Sequence, residues 1–259
     1  KRHFKPVAIF FAMSCATTIY TNLDSVMLGF MATNADVGYY GAAVKIKNIL
    51  VSIVTSLGTV LLPRAAYYIE HQQMDEFKKL SRKALNFVFL VASPMMIYFI
   101  LFAKQGIYFL SGDAFGPAVV PMQLIMPTLL LIGITNILGI QILVPLGYEK
   151  AVLVSEIVGA IIDLVVNALL IPVCQSSGAA IGTLLAEFAV MVVQCIALKN
   201  EIKSAFSDIK YLKIILAIIL ASLASCWVTV LNLHVFITLV ISAILFFGVY
   251  GVVLIIMKE

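Results

Sequence analysis

The stretch from Ala151 to Leu198 reads AVLVSEIVGAIIDLVVNALLIPVCQSSGAAIGTLLAEFAVMVVQCIAL. It holds two apolar runs, Ala151 to Ile171 and Gly178 to Leu198. Each is about the 20 residues that a helix needs to cross a hydrocarbon layer of roughly 30 Å. The polar break near Gln175 makes the pair a membrane hairpin. Yet Glu156 and Asp163 lie inside the first run and Glu187 inside the second. A charge near the bilayer centre costs roughly 2.5–3.5 kcal/mol on insertion scales, so such residues face a bundle interior or a wet cavity. Counted from Gln175, Asp163 is twelve residues before and Glu187 twelve after, which puts two carboxyls at one depth. Like charges so placed resist double ionisation, and take up a proton or share a cation. At about 100° per residue, Glu156, Gly159, Ala160, Asp163 and Asn167 form one stripe, answered by Thr183, Glu187 and Gln194. A purely structural arrangement, with each carboxyl protonated or bonded to a helix neighbour, fits the same pattern.

The rest of the chain follows this lead. With 63% hydrophobic and 12% charged residues over 259 positions, and a mean hydropathy of +1.10, a soluble domain would expose too much apolar surface. Six more runs qualify as spans: Pro6 to Phe30, Tyr39 to Leu62, Ala84 to Phe102, Val119 to Leu143, Tyr211 to Leu231 and Val235 to Met257. The expectation is an all-α, polytopic integral membrane bundle of eight transmembrane helices. Fourteen of the seventeen Lys and Arg residues fall in connections on one side of this map, against Lys104 on the other. By the positive-inside rule both termini are cytoplasmic. The net charge of +4 is thus a topology signal and gives no argument for nucleic acid. The polar connection from Pro63 to Lys83 reads as an amphipathic surface helix. Its cluster of Lys78, Lys79, Arg82 and Lys83 reads as positive-inside anchoring, with a lipid-headgroup role as the alternative. Cys15, Cys174, Cys195 and Cys226 stand singly, as packing residues. No HExxH, GxSxG or P-loop spacing occurs, and the outer connections are too short for a catalytic domain, so the chain does not read as an enzyme. It opens on Lys1-Arg2-His3 without an initiator Met, as a piece of a longer polypeptide would.

The first hairpin carries its own constellation. In span one Ser14, Thr17, Thr18, Thr21 and Ser25 share a face with Asp24 at its edge; in span two Gly41, Lys45, Asn48, Ser52, Thr55, Ser56 and Thr59 do so. With the turn set near Ala35, Asp24 and Lys45 lie at matched height and pair, as buried charges in a low-dielectric site must. Lys47 points away from this stripe and snorkels outward or meets another part of the protein. Pro94, Pro121, Pro127 and Gly133 are candidates to bend spans three and four. Spans seven and eight carry no deep charge and read as peripheral.

Two segments carry a family resemblance. Asp24-Ser25-Val26-Met27-Leu28-Gly29, then Val37-Gly38-Tyr39-Tyr40-Gly41-Ala42-Ala43 and Lys45, resembles the seventh-to-eighth helix region of bacterial polysaccharide-transport flippases of the Wzx type. Asn167-Ala168-Leu169-Leu170-Ile171-Pro172, then Gly178-Ala179-Ala180-Ile181-Gly182-Thr183 and Glu187, looks like their eleventh-to-twelfth helix junction. Both belong to the multidrug, oligosaccharidyl-lipid and polysaccharide exporter superfamily. The resemblance implies that residues 1–198 are the second six-helix lobe of a two-lobed transporter. Residues 199–259 would be a cytoplasmic linker and an accessory helix pair. It further implies an alternating-access protein of the bacterial inner membrane that flips an undecaprenyl-diphosphate-linked oligosaccharide. Its partners would be membrane lipid, the amino-terminal lobe missing from this chain, and a polysaccharide polymerase complex. Lys45 and Lys47 are then candidates for attracting the diphosphate, with Asp24 setting their charge state and Asn48 completing the candidate substrate-binding set. Asp163, Glu187, Glu156 and Asn167 are candidates for coupling to H⁺ or Na⁺, with no other cofactor. A peptidoglycan-precursor flippase, a cation-coupled multidrug exporter and a non-transporting scaffold of a polysaccharide-assembly complex remain as alternatives.

Overall fold

A computed structural model describes residues 4–199, 211–231 and 233–257. The cations Lys1, Arg2, Lys203, Lys210 and Lys258, which entered the orientation argument, lie outside these residues. All regular structure among the described residues is helical. The order is α1 Phe4–Met31, α2 Asn34–Glu70, α3 Met74–Leu101, α4 Ala103–Ser111, α5 Val119–Ile125, α6 Thr128–Asn136, α7 Glu149–Leu198, α8 Tyr211–Cys226 and α9 Val235–Ile256. Five helices are long and apolar enough to cross a membrane, and a bent pair makes a sixth candidate. That count takes α7 once, although α7 doubles back.

The doubling back occurs at Gln175, whose φ of 50° lies in the region that glycine enters at least cost. Beyond it the chain returns along itself. Gln194 Nε2 donates to Ser155 Oγ at 3.2 Å, and a Cβ on Gly159 would meet the Val190 side chain. At Gly178 the two arms touch backbone to backbone, so a Cβ there would lie 2.5 Å from the Leu170 carbonyl. The hairpin of the quoted stretch is therefore real, with its turn at the expected residue.

The first turn is tighter than expected. Thr33 caps α2 with a full capping box: its Oγ1 accepts from the Asp36 N–H at 3.2 Å, while Asp36 Oδ2 accepts from the Thr33 N–H at 3.1 Å. This places the turn at Ala32–Thr33, before the assumed Ala35. Downstream, the amphipathic surface helix expected between Pro63 and Lys83 does not form. Instead α2 runs on through Pro63 to Glu70, turns at His71–Gln73, and α3 begins at Met74. The polar residues lie on the continuations of these two helices, and Phe77 and Ala84 of α3 are buried in the main core.

Span four is broken. A short 3₁₀ turn and α5 lead to a 43° bend at Met126–Pro127, then α6 and a π-helical stretch, Ile137–Leu143. The missing N–H of Pro127 gives the bend its cause. Gly133 lets α6 close on its neighbours: a Cβ there would fall 2.7 Å from a Val88 methyl and 2.8 Å from a Val54 methyl. Gly133→Ala therefore overpacks this crossing and costs about 1–3 kcal/mol, to be seen as a lower unfolding midpoint in detergent.

A main core joins α2, α3, α5 and α6 to α7. A second one, built on Tyr98, Phe102, Ala217, Ala221, Phe246 and Tyr250, holds α8 and α9 to α3 and α4. There the Tyr98 hydroxyl donates to the Leu239 carbonyl at 2.9 Å, and Tyr250 to the Leu90 carbonyl at 2.8 Å. The thiols expected to be packing residues divide: Cys15 and Cys195 are half-buried, while Cys174 and Cys226 are exposed.

Candidate functional site

Asp24 of α1 is buried and fully bonded. Its Oδ1 accepts from Asn167 Nδ2 at 2.6 Å, and its Oδ2 accepts from Thr183 Oγ1 at 2.9 Å and from the Tyr40 hydroxyl. Tyr40 and Thr183 also touch each other at 2.8 Å. Four elements thus converge on one carboxylate: α1, α2 and both arms of α7. The register explains why Tyr40 is the partner, since a turn at Ala32–Thr33 sets Asp24 opposite residue 40.

The expected Asp24–Lys45 pair does not form. Lys45 is exposed, and no ion pair to it occurs among the described residues. Setting the turn three residues late displaced the matched height by about six residues, near 9 Å of helix. Lys47 does not snorkel outward but takes the other expected course and meets another part of the protein. It lies two helical turns beyond Tyr40 on the same buried face as Ala43, Leu50 and Val54, and is only 8% exposed. Its ammonium stands within electrostatic reach of Glu187, Asp24 and Asp163. The cation inside the lobe is Lys47, and the one on the polar outer stripe is Lys45.

Asp163 and Asn167 are both fully buried. Asp163 stands beside Asp24 and Asn167, and among the described residues no donor reaches its oxygens, or Asn167 Oδ1, in good hydrogen-bond geometry. These acceptors point at Gly182. A Cβ there would overlap Asn167 Oδ1 and lie 3.2 Å from Asp163 Oδ1. Unfilled buried acceptors carry a large cost. A shared proton or a hard cation, which takes oxygen ligands, supplies what this set lacks.

Beside this cluster lies a half-open cavity of about 330 Å³. Thr17 and Thr21 of α1, Lys47 and Asn48 of α2, Asn136 and Gly139 of the broken span, and Glu156, Glu187 and Gln194 of α7 line it. Thr17 Oγ1 donates to Glu156 Oε2 at 3.2 Å. Glu187 is 4% exposed, and Asn48 is exposed. Asp163 stands beside Asp24, while Glu187 lines the cavity with Lys47 and Glu156 and remains within electrostatic reach of Asp163. Missed by sequence reading were Tyr40, whose hydroxyl carries no periodic signal, and Gln141 of the π-helical stretch, whose Nε2 donates to the Gly58 carbonyl at 2.6 Å.

Residues 1–120 match the family described as "Polysaccharide biosynthesis protein". That match takes in a little under half of the chain. The "Putative O-antigen transporter" of Escherichia coli (strain K12) is 24% identical over 74% of this chain and 46% of its own length. An uncharacterized membrane protein of Methanocaldococcus jannaschii is 25% identical over 88% of this chain and 45% of its own. The chain spans about half the length of these relatives. Among solved structures, Lipid II flippase MurJ in an inward closed conformation superposes with a TM-score of 0.75. The match takes in all of this chain and 56% of that one, at 15% identity, and so concerns the fold. The sequence resemblance to flippases thus has support from sequence relatives and from architecture, while the site residues rest on geometry.

Proposed function

We propose that this chain is the second lobe of an alternating-access flippase that carries an undecaprenyl-diphosphate-linked oligosaccharide across the bacterial inner membrane. In this reading residues 1–198 cross six times, residues 199–259 supply a linker and an accessory pair, and both termini face the cytoplasm. The observation that carries it is a polar face exposed along α1 and along α2, of which α2 is long and apolar enough to span a membrane. Ser14, Thr18, Thr21, Asn22 and Ser25 of α1, and Lys45, Asn48, Ser52 and Ser56 of α2, all lie exposed. Several of the hydroxyls bond back to their own helix, as Thr18 does to the Ser14 carbonyl at 2.8 Å. Lys45 and Asn48 have no such relief, and lipid would be a costly neighbour for them. A water-filled path closed by another lobe removes that cost. Lys45 then meets the diphosphate as a cation on the wall, and Lys47 adds its field from within. The Asp24, Asp163, Asn167 and Thr183 cluster binds the coupling H⁺ or Na⁺, with Glu187 and Glu156 linking it to the cavity.

Fold likeness to a lipid II flippase favours a second reading, in which the cargo is the peptidoglycan precursor. Complementation of strains lacking a defined flippase separates the two by which lipid-linked intermediate stops accumulating. Rescue of peptidoglycan synthesis alone would overturn the oligosaccharide assignment. Within the intact protein, Lys45→Ala lowers apparent affinity for the lipid-linked substrate about fivefold, and Lys45→Arg restores most of it. Unchanged flipping by Lys45→Ala would remove that residue from the path.

A further inference from the structure

Thr21 and Asn48 line the half-open cavity and are themselves exposed, so they stand at its mouth. Asn48 follows Lys45 by one helical turn on the polar stripe of α2, about 4.5 Å along the axis. The mouth is therefore one turn from the cation that meets the diphosphate in the proposed path. Deeper in, Gln194 of the returning α7 arm lines the cavity while only 2% exposed. Its Nε2 donates to Ser155 Oγ at 3.2 Å, and no donor reaches its Oε1 among the described residues. Gly139 makes room for this amide, since a Cβ there would lie 3.0 Å from Nε2. A buried amide oxygen left bare is costly, and a ligand that donates to it removes the cost. The wall also carries Glu156, whose Oε2 accepts from Thr17 at 3.2 Å, and Glu187 within electrostatic reach of Lys47.

We propose that this cavity takes the sugar ring next to the diphosphate, with Gln194 Oε1 accepting from one of its hydroxyls and Asn48 holding another at the mouth. The proposal rests on the flippase reading and adds to it the place on this lobe where the carbohydrate is read. A hydroxyl both donates and accepts, which suits a wall where a bare amide oxygen and carboxylates stand beside the amide N–H of Asn48. A cation would use the acceptors alone and would face that N–H and the Lys47 ammonium. At about 330 Å³ the cavity lies at the small end of ligand pockets, with room for one ring rather than for a whole oligosaccharide. A site built to bond a hydroxyl rejects an analogue that lacks it, so Gln194 and Asn48 act as specificity-determining residues.

Native mass spectrometry of the intact protein in detergent tests this. Undecaprenyl diphosphate is titrated bare and carrying one N-acetylglucosamine or one galactose, with phosphatidylglycerol as the background lipid. At least one sugar-bearing form binds about tenfold tighter than the bare lipid, the scale of one or two hydrogen bonds. The readout is that ratio, so a variant that merely unfolds is recognised because it lowers every affinity. Gln194→Leu, and Asn48→Ala at its exposed position, each bring the ratio below twofold, whereas Lys45→Ala weakens bare and sugar-bearing lipids alike. A wild-type ratio near one for both sugars, with the bare lipid still held above phosphatidylglycerol, would overturn the sugar pocket and leave the flippase reading standing. No preference for any undecaprenyl lipid would overturn both. A tenfold ratio that survives either substitution would place the sugar outside this cavity. Tightening by Na⁺ that is equal for bare and sugar-bearing lipids, and is lost in Gln194→Leu, would make the cavity a cation site instead.

Discussion

Asp24→Asn in the intact protein stops transport while leaving the lobe folded. Asparagine keeps the shape of the side chain and one carbonyl oxygen, so Asn167 Nδ2 retains its acceptor, now 2.6 Å away in the native site. The hydroxyls of Tyr40 and Thr183, which donate to Asp24, can rotate to accept from the new amide. What disappears is the negative charge beside the orphaned oxygens of Asp163 and Asn167. Removing one charged member of a buried set costs about 3–5 kcal/mol. At about 1.4 kcal/mol per decade this is a loss of roughly a hundredfold to several thousandfold in affinity for the proposed coupling cation. The expected result is accumulation of lipid-linked intermediate and loss of surface glycan, with an unchanged profile on size exclusion. Wild-type export by this variant would show that the cluster is structural and has no part in coupling.

Gly182→Ala reaches the same end by a steric route, with all charges kept. The added methyl would overlap Asn167 Oδ1 and crowd Asp163 Oδ1, so the two α7 arms must part or Asn167 must leave Asp24. Overpacking of this kind costs about 1–3 kcal/mol in stability, and moving these oxygens apart would spoil the proposed ion site. Export falls below a tenth of the wild-type level, and the unfolding midpoint drops. Gly41→Ala is the matched control, because nothing lies within 4 Å of a Cβ at that position. If Gly182→Ala exported normally, the close approach at the hairpin would not be a requirement of the site.

Much of the architecture was legible because membrane insertion leaves so few options. Apolar length located the long helices α2, α3, α8 and α9, and the polar break at Gln175 located the turn of α7. What escaped was register. The capping box of Thr33 and Asp36 decides where α2 starts, and a shift of three residues in that turn exchanged Tyr40 for Lys45 as the partner of Asp24. The face of α2 that this chain buries carries Tyr40, Ala43, Lys47, Leu50 and Val54, opposite the polar stripe. A polar stripe identifies a face that avoids lipid, and does not say whether protein or water covers it. Asp163, Asn167 and Glu187 were recognisable as unusual by their depth, but their division between a sealed cluster and an open cavity depends on side-chain direction across three helices.

The run of α2 through Pro63 to Glu70 leaves a hairpin with α3 that outlasts the bilayer. At 1.5 Å per residue the 37 residues of α2 extend about 55 Å, against a hydrocarbon layer of about 30 Å. The excess makes a stiff handle, attached directly to the helix that bears Tyr40 and Lys47. Any tilt of that helix during the working cycle is magnified at the tip near Gln72, far from the membrane and open to labelling. A distance probe placed there would read out, from the aqueous phase, rearrangements that take place around buried carboxylates.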